Sequence, residues 1–176
     1  MKRFFGHLKT VLTHKSYVFV HCVKAGIPWR GVMHDMSKFS PVEFFNGVAN
    51  YTDGKKSPND KEKQKRGYSL AWLHHKGKNK HHFEYWTELN YKGVYLTAYK
   101  MPIKYLKEMI CDRVAATKTY RKKAYTDSAA LEYFLYKNDQ QFMYPDTSAM
   151  VLKILTMLKE KGEKETFRFM RNLKKY

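Results

Sequence analysis

Residues 102–123, PIKYLKEMICDRVAATKTYRKK, decide the fold class. Proline suits the first turn of a helix, so Pro102 marks a start. Beyond it Ile103, Leu106, Met109, Ile110, Val114 and Thr117 recur at intervals of three and four, which places them on one helical face. Asp112 lies on the flank of that stripe, stacked with Glu108 and Ala116, and Arg113 falls inside it. Neither suits a purely apolar core, so this helix is expected to make polar contacts inward. Outward from it the same period continues. Residues 4–24 carry Phe4, Leu8, Val11, Val18, Phe19 and Cys22 on one stripe that ends at Gly26 and Pro28. A short helix is expected to open at His34-Asp35. Ser40-Pro41-Val42-Glu43 reads as a capping box that starts another helix, through about Val48.

Asp53-Gly54 and Ser57-Pro58 mark a polar loop, and a basic helix is expected from about Lys61 to His75, stopping near Gly77. Residues 83–100, aromatic-rich and containing Gly93, read as an irregular loop or a short helix rather than a strand. Further helices are expected over 128–137, 147–161 and 163–174. No strand-like alternation persists and no repeat is found. The expected fold is an all-α, single-domain helical bundle over 1–176, with the C-terminal helices (128–176) packing on the rest.

The chain has 176 residues, enough for one well-packed core. At 43% hydrophobic and 16% aromatic residues it is not a disordered polymer. Cys22 and Cys111 fall in apolar helical patterns and read as buried free thiols, consistent with a cytoplasmic protein. His7, Lys9, His14 and Lys15 deny the N-terminus the apolar run of a signal peptide, and no stretch is long enough to span a bilayer. Lys and Arg outnumber Asp and Glu by 34 to 16, a net charge of +18. Lysines cluster at 55–56, 61–66, 76–80, 118–123 and 174–175. Such an excess favours nucleic acid, anionic membranes or small anionic substrates, although a solvated lysine-rich surface explains it equally well. No zinc-finger, RNP or helix-turn-helix pattern accompanies it, so charge alone names no nucleic acid.

Chemistry is concentrated at His34-Asp35-Met36-Ser37-Lys38. An adjacent imidazole and carboxylate hold a divalent metal through nitrogen and oxygen together, and a helical Lys38 would lie over whatever the metal binds. Around this pair stand His14 before it, His74, His75, His81 and His82 after it, and Asp112 further on. His14 borders the apolar stripe of the first helix, while Lys15 falls within it and either snorkels or points into a polar cavity. His75 shares a face with Tyr68, Ala71 and Trp72 and should look inward, leaving His74 to the side. Taken singly, His14 reads as a hydrogen-bonded core residue and Asp112 as a surface carboxylate. The order His, His-Asp, His, His-His, Asp in one helical chain is what points to a metal.

That order resembles the HD-domain superfamily of metal-dependent phosphohydrolases, whose ligands run His, His-Asp, Asp on a helical core. His14, His34-Asp35 and Asp112 match those places, within a stretch of about 10–120. His75, His81 and His82 are similar to the extra histidines of members that bind two metals, though His75 and His82 stand closer in sequence than those ligands usually do. The segments His34 to Ser40, Trp72 to His75, Asn79 to Trp86 and Met101 to Arg113 further resemble an uncharacterised bacterial and phage family with a His-Asp-x-Ser-Lys-Phe motif.

The resemblance implies a metal-dependent phosphohydrolase acting on a phosphoester, with a nucleotide or other small phosphorylated substrate, and one or two divalent ions (Mn, Mg, Fe, Co, Ni or Zn). His14, His34, Asp35 and Asp112 would hold one ion, and His75 with His81 or His82 a second, bridged by Asp35. Lys38 and Lys15 would offset phosphate charge, and Glu84 would orient a ligand histidine. Two other readings stand beside it. One is a di-iron HD-type oxygenase using the same nitrogen and oxygen donors. The other is a non-catalytic, basic nucleic-acid-binding or interaction protein whose histidines brace the core.

Overall fold

Histidines, rather than the expected phenylalanines, share the buried face of the first helix. In the computed structural model, which describes residues 1–176, α1 (Lys2–Lys24) buries His7, Val11, His14, Val18, His21 and Cys22. Phe4 and Phe19, placed on the stripe from sequence, are exposed instead. The cause is the neighbour: α6 (Ile103–Arg121) lies along α1 and buries residues on most of its own surface, Lys107 and Glu108 included. A helix packed so centrally selects the face of α1 that meets it, and that face carries polar groups with partners there.

Between them, α2 (Pro28–Met33) packs against α1. A Cβ on Gly31 would stand 2.8 Å from the Cys22 Cβ and 3.0 Å from the Phe19 Cα. Gly31 therefore permits the close approach that delivers the next residues, His34 and Asp35, into the interior. The expected helix opening at His34-Asp35 is in fact a kink. Asp35 is left-handed (φ 53°, ψ 32°) and starts a single 3₁₀ turn, Met36–Phe39.

Next come α3 (Pro41–Ala49), α4 (Pro58–Arg66) and α5 (Leu70–Lys78). The single basic helix expected over 61–75 is two helices. Gly67 takes positive φ (80°) at the end of α4, and the Ser69 hydroxyl accepts from the Trp72 N–H (3.0 Å) to start α5. Ser57-Pro58, read as loop, begins α4. Residues 83–100 hold a 3₁₀ turn, Phe83–Trp86, and, contrary to expectation, a small antiparallel hairpin of β1 (Thr87–Leu89) and β2 (Leu96–Ala98). Its turn is fixed by the Asn90 side chain, which accepts from the Val94 N–H (2.8 Å).

The C-terminal helices are α7 (Ala129–Lys137) and α8 (Pro145–Asn172). Gly162, at φ 72° and ψ 177°, interrupts α8 where the sequence divides it into two. The apolar core joins Val18 and Cys22 of α1, Leu106, Ile110 and Val114 of α6, Phe134 of α7, and Ile154, Leu155 and Leu158 of α8. Cys22 and Cys111 lie in it as buried free thiols. The result is a mostly helical bundle. No helix is long and apolar enough to cross a membrane. Toward the N-terminal half of α1 and around Asp112 of α6, apolar packing gives way to a polar cavity walled by α3, α4 and α5.

His21 shows what burial does to the α1 histidines. It stacks on Phe167 and faces the Cys111 carbonyl at 3.2 Å. Burial lowers its pKa to about 4, against the pull of that carbonyl. A base whose folded pKa lies below its unfolded value makes the unfolded state bind more protons between the two. Its contribution is present above about 6.5 and is lost as pH falls toward 4. His21→Phe, which keeps the stack, should show a shallower fall in urea midpoint from pH 7 to pH 4.5 than the parent. Parallel pH profiles would contradict this assignment.

Candidate metal centre

Asp35 stands at the meeting point of two groups of donors. Its left-handed backbone, tolerated by Asp but strained, sends the carboxylate inward, where the residue is 3% exposed. Oδ2 lies 3.2 Å from His34 Nε2, and Oδ1 lies 3.3 Å from His75 Nε2 and 3.5 Å from His81 Nε2. The first group is His14, His34, Asp35 and Asp112; the second is Asp35, His75, His81 and His82, each with its ligating atoms within 4.8 Å of one another. In the first, His14 Nε2 is 3.0 Å and His34 Nε2 3.6 Å from Asp112 Oδ1. Every residue named from sequence as a candidate ligand therefore falls in one of these two groups.

The donors come from five places in the chain, and each has a local reason to arrive. His14 is the central member of the 7-14-21 stripe of α1. Asp112 rides the flank of α6 predicted by its period. His75 lies on the inward face of α5. Asn79 then ends that helix as its C-cap, with its side chain donating to the His75 carbonyl (2.8 Å). The chain reverses there, so His81 and His82 return beside His75, with ring centroids 4.2 Å apart from each other and His82 4.7 Å from His75. Short spacing between His75 and His82 thus suits a helix end followed by a turn.

Several donor atoms are buried and make no hydrogen bond of good geometry, their close neighbours being mainly one another and Lys38: His14 Nε2, His34 Nε2, both Asp35 oxygens, His81 Nε2 and His82 Nε2. Polar atoms left so poorly paired inside a protein are costly, and their convergence fits the donor set of a metal ion. Protonation preferences agree for His14 and His82, whereas at His34 burial is outweighed by the Asp35, Asp112 and Glu108 carboxylates, which raise the pKa above its usual value. Burial, followed by the Lys38 charge, lowers His14 to about 4, and burial with the neighbouring His81 and His75 lowers His82 far below its usual value. Both imidazoles are then neutral at pH 7, as a ligand must be. Burial opposes ionisation of Asp112, yet bonds from His14 and His34 hold its carboxyl well below the usual range.

The groups that aim these ligands include two carboxylates whose part was not read from sequence. Glu108 Oε1 lies 3.1 Å from His34 Nδ1 and 3.4 Å from His81 Nδ1, so both rings turn Nε2 toward Asp35. Its other oxygen receives Arg30 through Nε (2.7 Å) and Nη2 (2.6 Å). Burial alone would raise Glu108, but the two imidazoles bring its pKa down to about 2, and it stays anionic. Glu43 takes His75 Nδ1 on one oxygen and His74 Nδ1 on the other, both at 2.7 Å. Hence the capping box is only half formed. The Ser40 hydroxyl accepts from the Glu43 N–H (3.4 Å), while the Glu43 side chain serves the histidines. Position signals existed: Glu108 is one helical turn before Asp112, and Glu43 sits where a cap would place it. Such carboxylates typically change metal affinity by about 10–100-fold. Glu108→Gln should weaken metal binding by that order in a competitive chelator titration; an unchanged affinity would remove its orienting role.

Three expectations require correction. Glu84 orients no histidine; its carboxylate lines the cavity with Oε2 buried and unpartnered. Lys15 does not enter the cavity. Its ammonium donates to the carbonyls of Val32 (2.8 Å) and His34 (2.7 Å), because α2 ends there with carbonyls that lack helical partners. Lys38 reaches the site by a different route from the helical one expected. The 3₁₀ turn brings its ammonium to 2.6 Å from Asp35 Oδ2. Burial disfavours that charge, but Asp35 and Asp112 hold the pKa above the usual lysine value, so Lys38 stays cationic. Arg113, the awkward residue of the α6 stripe, pairs with Asp139 (2.9 Å) at the far wall of the cavity.

The cavity is about 510 Å³, within the usual range for small-molecule sites. Trp72, Phe83, Tyr120 and Tyr133 line it beside Lys55, Lys56, Lys63 and Lys137. His7 lies in its wall, neutral because burial lowers its pKa to about 4. Gly47 makes room for that ring, since a Cβ there would fall 2.2 Å from His7 Nε2.

The model of a protein family described as a family of unknown function, DUF5662, matches residues 3–157, which contain every donor above. No curated protein and no solved structure matches the chain.

Proposed function

Because the chain belongs to the DUF5662 family, to which no function is assigned, its chemistry must be argued from the site, and we propose a metal-dependent phosphohydrolase of the HD type. The observation that carries this reading is the Asp35 carboxylate, which offers one oxygen to each of two donor groups. A divalent ion held at such donors supplies an acidified water and polarises a phosphoryl oxygen. Among the protein groups, Asp35 spaces the two donor sets and Glu108 and Glu43 fix the ring orientations. Lys38 is the one ammonium at ion-pair distance from Asp35, placed to offset charge on a phosphoryl group bound there. Lys15 acts one step back, as a positioning residue that pins the His34 carbonyl and so the strained turn at Asp35.

A cavity with aromatic walls and a lysine rim suits a phosphate carrying an organic group of nucleotide size. The test is phosphate release from p-nitrophenyl phosphate and from a panel of nucleotides by protein loaded separately with Mn, Mg, Fe, Co, Ni and Zn. Turnover abolished by chelation and restored by metal supports the reading. Silence across the panel, with two irons bound and dioxygen consumed, transfers the site to the oxygenase class instead.

A further inference from the structure

A second basin adjoins the metal cavity, and the charge in its lining is all of one sign. It measures about 750 Å³ and is walled by Lys9, Lys118, Lys122 and Lys123, by Tyr17, Tyr51 and Tyr125, and by threonine and glycine, with no Asp or Glu among its lining residues. Thr10, Tyr51 and Gly54 belong to both cavities, so the two meet along that line. The junction is tightly made. Asp53 and Gly54 both take positive φ (53° and 70°), the signature of a tight reversing turn. Thr52 Oγ1 closes the loop by donating to the Lys56 carbonyl (2.6 Å) and accepting from the Lys56 N–H (3.0 Å). The turn leaves Lys55 and Lys56 on the metal side, and a Cβ on Gly54 would be 3.8 Å from Lys122 Nζ on the other.

Charge in the second basin is mostly unspent on the protein itself. Lys118 pairs with Glu163, but Lys9, Lys122 and Lys123 pair with no carboxylate, nor do Lys55 and Lys56 at the junction. Lys118 follows Asp112 by six residues, roughly 9 Å at 1.5 Å per residue of α6, and Lys122 and Lys123 lie beyond the end of that helix at Arg121. That is too far for one phosphoryl group to touch both the metal donors and the basin. It suits a chain of phosphates. Tyr17 is 39% exposed and free to stack on a base.

We infer that the joined cavities form a track for single-stranded nucleic acid, with its backbone running from the metal donors past Thr10, Tyr51 and Gly54 onto Lys9, Lys122 and Lys123. The assignment of the metal end as the place of hydrolysis rests on the function proposed above; binding in the basin does not. It also gives a use to the lysine run at 118–123, which a small substrate leaves idle.

The experiment uses full-length protein, a fluorescent ten-residue oligothymidylate and heparin, with p-nitrophenyl phosphate turnover and metal content measured in parallel. The triple variant Lys9→Gln, Lys122→Gln, Lys123→Gln should bind the oligonucleotide at least about tenfold more weakly. Its slope of log affinity against log salt should be shallower by roughly two, from about 0.7 per lost single-strand phosphate contact. Tyr17→Ala should weaken the oligonucleotide several-fold while leaving heparin unchanged, since heparin has no base to stack. Turnover and metal content should be those of the parent in both. Oligonucleotide affinity within twofold of the parent in the triple variant overturns the inference, as does an equal loss of heparin and oligonucleotide on Tyr17→Ala. Absent turnover in the parent, with the binding pattern intact, counts against the phosphohydrolase reading and leaves the track standing.

Discussion

Asp35→Ala is expected to empty both metal positions at once. Each donor group loses an oxygen, and the remaining imidazoles are left beside Asp112 alone in the first group and with no carboxylate in the second. The fall should exceed the roughly 10–100-fold typical of losing an orienting residue. No other single ligand substitution should reach both positions, and Glu108→Gln, which touches a ring of each group, should weaken both without emptying them. His14→Ala should reduce only the first group and His82→Ala only the second. Metal per chain, measured by mass spectrometry after gel filtration, separates these cases. An Asp35→Ala protein that retains two ions would show that the donor groups do not share that carboxylate. Folding need not fail with the metal, because the apolar core of α1, α6, α7 and α8 contains none of the donor residues.

Lys38→Ala should leave metal content intact and lower kcat by about 10²–10³-fold, the scale for removing one donor that acts on developing charge. Its ammonium lies 2.6 Å from Asp35 Oδ2, and the side chain, 28% exposed, lines the cavity within reach of a ligand there. A lysine held cationic cannot serve as a ligand at neutral pH. Lys38→Arg should restore part of the rate, since charge survives while the point-like geometry of an ammonium is lost. If Lys38→Ala turns over as fast as the parent, Lys38 has no part in the reaction. Lys15→Ala provides the contrast. It frees the His34 carbonyl, so it should lower metal affinity together with rate rather than rate alone.

Much of the candidate site was legible because its potential donors sit on features that a sequence displays. His14 and Asp112 ride long helices whose period fixes their direction, and His75 shares the Trp72 face of α5. What stayed hidden depends on geometry off the helix. The left-handed Asp35 converts an expected helical face into a 3₁₀ turn, and this changes which residues Lys38 meets. Lys15 was ambiguous between two destinations, and only the end of α2 above it decides for the carbonyls. Glu108 showed only as a neighbour stacked with Asp112, and Glu43 as a capping residue, because their work is with rings distant in sequence.

The fold followed the same division. All-α architecture and the break in α8 at Gly162 were visible in periodicity and glycine placement. The split between α4 and α5 was missed because Gly67 and the Ser69 cap were read as interior to one basic helix. The hairpin at 87–98 was missed because strands of three residues are too short to show alternation.

Anomalous X-ray diffraction at the absorption edge of the bound metal, from crystals of protein purified without chelator or affinity tag, tests the central claim most directly. Two peaks are expected on opposite sides of the Asp35 carboxylate, one among His14, His34 and Asp112 and the other among His75, His81 and His82. Crystals showing no anomalous peak among these residues, from protein supplied with metal throughout, would contradict it.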